Sequence, residues 1–385
     1  MFHIKYTNMK KSNVLICSAL LALCACNSKD HNTVKDDVMT FIDVDNPVIT
    51  DELPLEQLID TVCVVKLQGE DLLIKRIISM QKSGDRIFVN DDDSESPIKI
   101  FDGNGLLINT IHKGNGPGEV DYLDDLYFDN EKQTLYMSNM QKWSLFDRDG
   151  NFKEQIDIPF QYSQMNSIAD EYVFFVADYQ MNENIKSKIF VTDKDFNLRH
   201  KYFPFEVERS FSVGGMTQIV NVGNAVAVMR DTIYYYHDSR LAPRYYFKYD
   251  NRFDPKTLPQ GTSIFFDQLV GYNPVAFLEN PSTVFYHIHG FDTKISKKIV
   301  YDKKSGKYFV RPFVYEDNKA PIIPFYLNAN YVTPEGYFVT YLTDENCEQY
   351  TPDIEPFMSD SDKEILNNFQ PDDNPLLVFF KFKEF

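Results

Sequence analysis

An all-β fold is the expectation for this chain, and three observations carry it. Its 385 residues include 32 Phe and 24 Tyr, which sit with Val and Ile in short runs suited to a pleated, half-buried surface. Asp and Gly residues that favour tight turns punctuate those runs at regular intervals. No long stretch of 3.6-residue apolar periodicity competes with this reading.

The first segment reads as an address, not as part of the fold. Lys10 and Lys11 precede the apolar run Val14 to Leu23, which ends in Leu23-Cys24-Ala25-Cys26, the look of a bacterial lipoprotein signal with its lipobox. The apolar core is about half the roughly 20 residues a membrane-spanning helix needs. Residues 1–25 are therefore expected to be cleaved and Cys26 to carry the lipid. Attachment to the outer membrane would rest on several acyl chains, palmitate among them, since one chain binds only marginally.

Cleavage would deepen the net charge from −18 to −21 by removing Lys5, Lys10 and Lys11. That balance disfavours nucleic acid, whose binding needs Lys and Arg to displace counterions, and leaves no basic patch for anionic lipid. Residues 26–51 are polar and acidic, with Asp36, Asp37, Asp43 and Asp45 around few apolar residues, and read as a flexible tether. The folded domain is expected over 52–385, its first convincing strand at Thr61 to Leu67.

An internal repeat follows. Ile100-Phe101-Asp102-Gly103-Asn104-Gly105 and Leu145-Phe146-Asp147-Arg148-Asp149-Gly150 are its clearest copies. Phe190-Val191-Thr192-Asp193 is weaker, and Lys248-Tyr249-Asp250-Asn251 and Val300-Tyr301-Asp302 are degenerate. A strand, an Asp-Gly type turn and a second strand make a hairpin. The Asp positions recur about every 50 residues, room for four short strands per unit.

Four-stranded units arranged radially predict a β-propeller. Five marked turns and the strand-rich stretch Leu327 to Phe385 predict six blades. Closing the ring requires the N-terminal strand Val62 to Leu67 to pair with the C-terminal strand Leu376 to Phe382, which removes two exposed edges. The acidic insert Glu348 to Asn374 reads as a surface excursion with a short helix at Asp360 to Phe369.

Residues of about 84 to 160 resemble the NHL-type propeller repeat, in which a glycine-rich connection precedes a strand pair ending in an aromatic-Asp-x-x-Gly turn. Here the connection is His112-Lys113-Gly114-Asn115-Gly116-Pro117-Gly118-Glu119. With the lipobox, the chain resembles six-bladed propeller lipoproteins of Bacteroidetes. The resemblance implies a propeller in the cell envelope and implies no particular activity.

The glycine-rich connection lacks the Gly-Lys-Ser/Thr ending of a phosphate loop and reads first as a turn, beside which His112, Asn115 and Glu119 could line a ligand surface. Trp143, before the second repeated turn, reads either as core or as ligand-binding. His287 and His289 point to one face of a probable strand and could be half of a zinc site, although no third ligand is evident. Asp91-Asp92-Asp93-Ser94-Glu95 offers oxygen ligands suited to calcium without the glycine of an EF-hand loop. Tyr234-Tyr235-Tyr236 and Tyr245-Tyr246-Phe247 could stack on sugars or peptide side chains, with core packing as the plainer alternative. Cys63 and Cys347, the two thiols left after processing, could form a disulfide or stay free in separate strands.

No Gly-x-Ser-x-Gly elbow, His-Glu-x-x-His motif or sialidase Asp-box is present. No catalytic residue and no obligatory cofactor is assigned. The leading reading is a lipid-anchored binding module for a peptide, glycan or envelope protein. The alternatives are a propeller enzyme resembling metal-dependent lactonases, with calcium near strands such as Leu327-Asn328-Ala329-Asn330, and a structural subunit of an envelope assembly.

Overall fold

The computed structural model describes residues 39–385 apart from 94, 122, 124, 140–141, 177–184, 205–224, 230, 255–269, 317–320 and 371, with backbone only at 125, 139 and 225–229. The expected signal over 1–25 and Cys26 lie outside the described residues. The described chain opens with β1 (Thr40–Asp43), a one-turn helix α1 (Leu55–Leu58) and β2 (Ile59–Lys66).

Three sheets then follow in strict sequence order. Blade 1 holds β3 (Ile77–Ser83), β4 (Arg86–Asp91), β5 (Ile98–Asp102) and β6 (Leu107–Ile111). Blade 2 holds β7 (Asp125–Asp129), β8 (Thr134–Asn139), β9 (Lys142–Asp147) and β10 (Phe152–Asp157). Blade 3 holds β11 (Gln164–Ile168), β12 (Glu171–Phe175), β13 (Ser187–Asp193) and β14 (Leu198–Pro204).

Blade 4 has three strands of its own, β15 (Ala225–Met229), β16 (Thr232–His237) and β17 (Arg240–Lys248), and takes β1 as its fourth. Blade 5 is β18 (Tyr272–Glu279), β19 (Thr283–Gly290), β20 (Ile295–Asp302) and β21 (Tyr308–Val314). Blade 6 combines β22 (Tyr331–Val332), β23 (Phe338–Leu342) and β24 (Leu376–Phe382) with β2. Helices α2 (Asp344–Ile354) and α3 (Asp360–Asn367) stand between β23 and β24. The chain is thus an all-β, six-bladed propeller of four-stranded blades.

Period-two alternation explains how each sheet serves two interfaces. Phe88 of β4 packs toward blade 2, while its neighbours Ile87 and Val89 pack toward blade 6. Each of the six blade-to-blade interfaces accordingly carries its own buried apolar cluster. Polar groups also join neighbouring blades. The Gln81 amide accepts from Phe128 N at 2.7 Å, and the Asn280 amide donates to the Gly336 carbonyl at 2.7 Å.

The repeated Asp has one structural job. In Asp102, Asp147 and Asp193, Oδ1 accepts from the backbone N–H two and four residues on, at 2.8–3.0 Å, so the side chain closes the turn between the third and fourth strands. The third copy is weak because Phe196, at φ 62°, stands where Gly105 and Gly150 adopt φ 86° and 80° elsewhere. Asp250 belongs to no such hairpin, because the next described strand after β17 is β18 of blade 5.

Three strands in place of four reverse blade 4. Four strands return the chain to the end of the ring where it entered, whereas three leave it at the opposite end, so β15 must start where the other inner strands finish. Two contacts bear this out. The β16–β17 turn residue Ser239 and Tyr236 lie on Glu171, at the first turn of blade 3, with Tyr236 Oη 2.7 Å from its carboxylate. Beyond β17, Asn251 and Phe253 bond Tyr272, the first residue of β18. β1 therefore pairs with β17 in parallel, Thr40 opposite Tyr245 and Asp43 opposite Lys248.

The expected tether over 26–51 is corrected from Thr40 onward, and the folded domain begins there, not at 52. Ile42 and Val44 alternate into the core between blades 4 and 5. Tyr308 then holds Asp43 and Asn46, Ile49 bonds Tyr308, and Arg311 donates to the Asp51 carbonyl at 2.8 Å. Asp43 and Asp45, which suggested solvated chain, pair with Lys248 and Lys297 at 2.7 and 2.6 Å. The segment is a strap across the outer edges of blades 4 and 5.

Ring closure follows the expectation: β2 pairs antiparallel with β24, Val62 opposite Phe380 and Val64 opposite Val378. α3 matches the expected helix, and α2 is a second helix in the insert, begun by a capping box at Thr343 and Asn346. Of the two alternatives open for Cys63 and Cys347, the structure has free thiols and no disulfide between them. Cys63 lies on β2, and Cys347 lies on α2, not on a strand, with its Sγ 3.6 Å from Thr351 Oγ1.

Candidate functional site

The glycine-rich connection of blade 1 is a self-closed loop. Val120 N bonds the His112 carbonyl at 3.0 Å, Lys113 N bonds the Glu95 carbonyl at 2.8 Å, and the Glu119 carboxylate accepts from Gly116 N at 2.9 Å. A Cβ on Gly114 would meet that carboxylate, which is why the loop needs glycine there. His112, Asn115 and Glu119 are all exposed, and the His112 ring bonds Ser96 at 2.8 Å.

The acidic run nearby is matched by cations. Asp91 pairs with the buried Lys99 at 2.7 Å, Asp92 with Arg76 at 2.7 Å, and Asp93 with Lys75 at 3.2 Å. Among the described residues no group of three or more His, Cys, Asp or Glu is arranged to hold a metal ion.

Trp143 is corrected from ligand surface to core. Its relative exposure is 0 %, and its ring packs among Tyr136, Tyr162, Tyr172 and Phe174 with centroids 4.8–6.4 Å away. Its indole N–H donates to the Tyr162 hydroxyl. The tyrosine runs split by alternation: Tyr236, Tyr245 and Phe247 are buried in blade interfaces, whereas Tyr234, Tyr235 and Tyr246 are half-buried.

A surface pocket of about 590 Å³ lies between the strap and the C-terminus, lined by Val48, Ile49, Leu53 and Phe385 with Lys307, Lys383 and Glu384. Glu384 pairs with Lys304, Lys383 donates to the Glu56 carbonyl, and Lys307 is exposed to solvent.

Buried polar atoms without a partner occur in several blades among the described residues, Asn166 of blade 3 and Asn273 and Glu279 of blade 5 among them, and blade 5 adds two histidines and a lysine on one face. β19 places His287 and His289 on one face, and antiparallel register sets Asn273 of β18 and Ser296 of β20 on either side of His289. Lys298 lies opposite His287. A register shift between Pro274 and Ala276 puts Asn273 and Ala276 opposite successive members of the histidine pair. The same face, farther along, packs Phe285 and Val300 into the core between blades 5 and 6.

Ser296, 1 % exposed, bridges the two rings: its Oγ lies 3.1 Å from His287 Nε2 and 2.8 Å from His289 Nδ1. A hydroxyl has one hydrogen, so it donates to one neutral ring and accepts from the other. Of the two remaining ring nitrogens, one then carries a hydrogen and the other a lone pair. Burial, followed by Lys298 and His289, pushes His287 down to about 2, and burial lowers His289 as well. Both imidazoles are neutral at physiological pH.

Lys298 is the anomaly. It is 5 % exposed and has no hydrogen-bond or ion-pair partner among the described residues; its ammonium lies 5.8 Å from the centre of the Phe285 ring. Burial pushes its ammonium down to about 8, so it still carries its charge at pH 7. Asn273, 6 % exposed, likewise buries an Nδ2 with no acceptor. The nearby Asp292 is occupied with Gly271 N at 2.9 Å. Phe291 and Tyr315 stand edge-on to His289 with centroids 4.9 and 5.4 Å away. The cluster can hold an acceptor-rich group, or relay a proton through His287, Ser296 and His289.

The histidine pair was visible in the sequence as a possible half-site for zinc; Asn273, Ser296 and Lys298 were not. The available signal was a lysine two residues from a serine and two from Val300 on the core-facing side of a strand.

The profile of a family described as a domain of unknown function (DUF4934) matches residues 39–381. No curated protein matches the sequence. The crystal structure of a Bacteroides fragilis protein described as exported aligns with a TM-score of 0.69 at 20% identity, covering 90% of this chain and 100% of that one. At that identity the likeness speaks for the fold alone. The WD40 domain of SCAP from fission yeast aligns at a TM-score of 0.38 and 10% identity, covering 76% and 82% of the two chains, too loosely to carry an argument.

Proposed function

This chain belongs to the family described as a domain of unknown function (DUF4934), and from that premise we propose that it is a binding module of the cell envelope. In this reading residues 1–25 direct export, Cys26 carries the lipid, and the propeller presents its ligand site at the blade 5 cluster. The exported character of the Bacteroides fragilis relative in fold is consistent with this address. The blade connections of the first two blades are read as NHL-type. The ligand is a peptide, a glycan or an envelope protein.

One observation carries the binding reading: Lys298 keeps a buried charge that no described neighbour compensates. A charge left in that state costs stability, and such a cost is tolerable where a ligand supplies the missing partner. The test is a glycan and peptide array probed with the full-length protein and its Lys298→Met variant. Hits lost in the variant support the module; hits unchanged in the variant remove blade 5 as the site. Separately, Cys26→Ala is expected to move the protein from the membrane to the soluble fraction.

A further inference from the structure

We infer that the blade 5 cluster binds the carboxylate of an acidic ligand, with Lys298 Nζ and Asn273 Nδ2 as its donors. The inference rests on the binding-module reading and names the chemistry of its ligand.

Four observations lead there. Lys298 and Asn273 are each more than nine-tenths buried; Asn273 Nδ2 is itself buried with no acceptor, and Lys298 has no hydrogen-bond or ion-pair partner among the described residues. Buried donors in that state are costly, and an acceptor delivered by a ligand recovers the loss. The remaining groups on this face, His287, His289 and Ser296, are joined through the Ser296 hydroxyl and add no formal charge. Arg311, opposite Lys298 on β21, is turned to the backbone carbonyls of Val310 and Asp51.

The charge count selects the ligand. One ammonium balances one negative charge, so a carboxylate fits and a dianion would leave an uncompensated charge in a buried place. A carboxylate also has two oxygens for two donors of different kinds, one charged and one amide. His289, with Phe291 and Tyr315 against it, forms the wall along which the body of the ligand would lie. An acidic sugar and an acidic peptide side chain share this chemistry.

The experiment compares matched acid and neutral probes on the full-length protein by ligand-observed NMR: D-galacturonate against D-galactose, and N-acetylglutamate against N-acetylglutamine. At least one acid is expected to bind ten times or more tightly than its neutral partner, and which one does so separates the sugar source from the peptide source. Lys298→Met is expected to abolish that preference while its Tm stays equal to or above wild type, because removing an uncompensated buried charge relieves the fold. A purely structural lysine would lower Tm and leave binding unchanged. Absence of binding of both acids at about 10 mM, or equal binding of acid and neutral probes, overturns the inference. If a neutral ligand from the array is nevertheless lost in Lys298→Met, the carboxylate assignment fails while the binding module stands.

Discussion

Tyr308 holds Asp43 by its main chain on both sides: the tyrosine hydroxyl accepts from Asp43 N at 3.1 Å and faces the Asp43 carbonyl at 3.0 Å as donor. The two residues are 265 positions apart, and the contact fastens the strap between blades 4 and 5. Tyr308→Phe leaves a partly buried N–H without its acceptor and is expected to cost about 1–3 kcal/mol in urea unfolding. Limited proteolysis should cut first between residues 44 and 54. An unchanged midpoint together with unchanged cleavage would show that the strap is held by Ile42 and Val44 alone.

Two turn glycines separate backbone strain from crowding. Gly306 has φ 73° and open space where a Cβ would stand, so Gly306→Ala is expected to cost about 1 kcal/mol. Gly105 has φ 86°, and a Cβ there would lie 2.2 Å from the Lys66 carbonyl oxygen, so Gly105→Ala should cost about 3 kcal/mol. Equal Tm losses in the two variants would mean that the blade 1 turn yields without strain.

Trp143 is the sole tryptophan, so fluorescence reports on the interface between blades 2 and 3 alone. Its emission should be blue-shifted in the native protein, move to the red on unfolding and not respond to ligands of blade 5. Trp143→Ala is expected to lose about 3–5 kcal/mol. A red-shifted native spectrum would contradict its burial.

His287 makes stability fall as pH drops. Its folded pKa, near 2, lies below the ordinary 6.5, so below about pH 6.5 the unfolded chain takes up a proton that the folded chain refuses. The contribution is complete above pH 6.5 and is lost as pH falls toward 2, at up to about 1.4 kcal/mol per pH unit. Denaturation midpoints between about pH 6.5 and 5, where most carboxylates stay ionised, should slope less in His287→Gln than in wild type. Identical slopes would show that His287 accepts a proton in the native state.

The parts of this protein that could be read in advance are those whose cause is local. Asp102 and Asp147 announce their turns because each carboxylate bonds backbone N–H groups within four residues of itself, and the glycines that follow supply the positive φ. The third copy was faint for an equally local reason, Phe196 in the glycine's place. In the candidate site, only the His287 and His289 pair lay within one strand's alternation. Asn273, Ser296 and Lys298 join it through the registers of β18, β19 and β20, and register is a relation between segments.

What the amino-acid order determined by itself is a repeating, aromatic-rich series of hairpins whose number and closing strands require a six-bladed ring. Only the tertiary structure decided that Thr40–Asp43 is a blade strand and that blade 4 runs in reverse to receive it. It also decided that Lys298 is buried without a partner. The reason is common to all three: a blade's polarity follows from whether a distant segment supplies its fourth strand, and the partner of a buried group is chosen by packing across distant segments, so neither is encoded in any single stretch of chain.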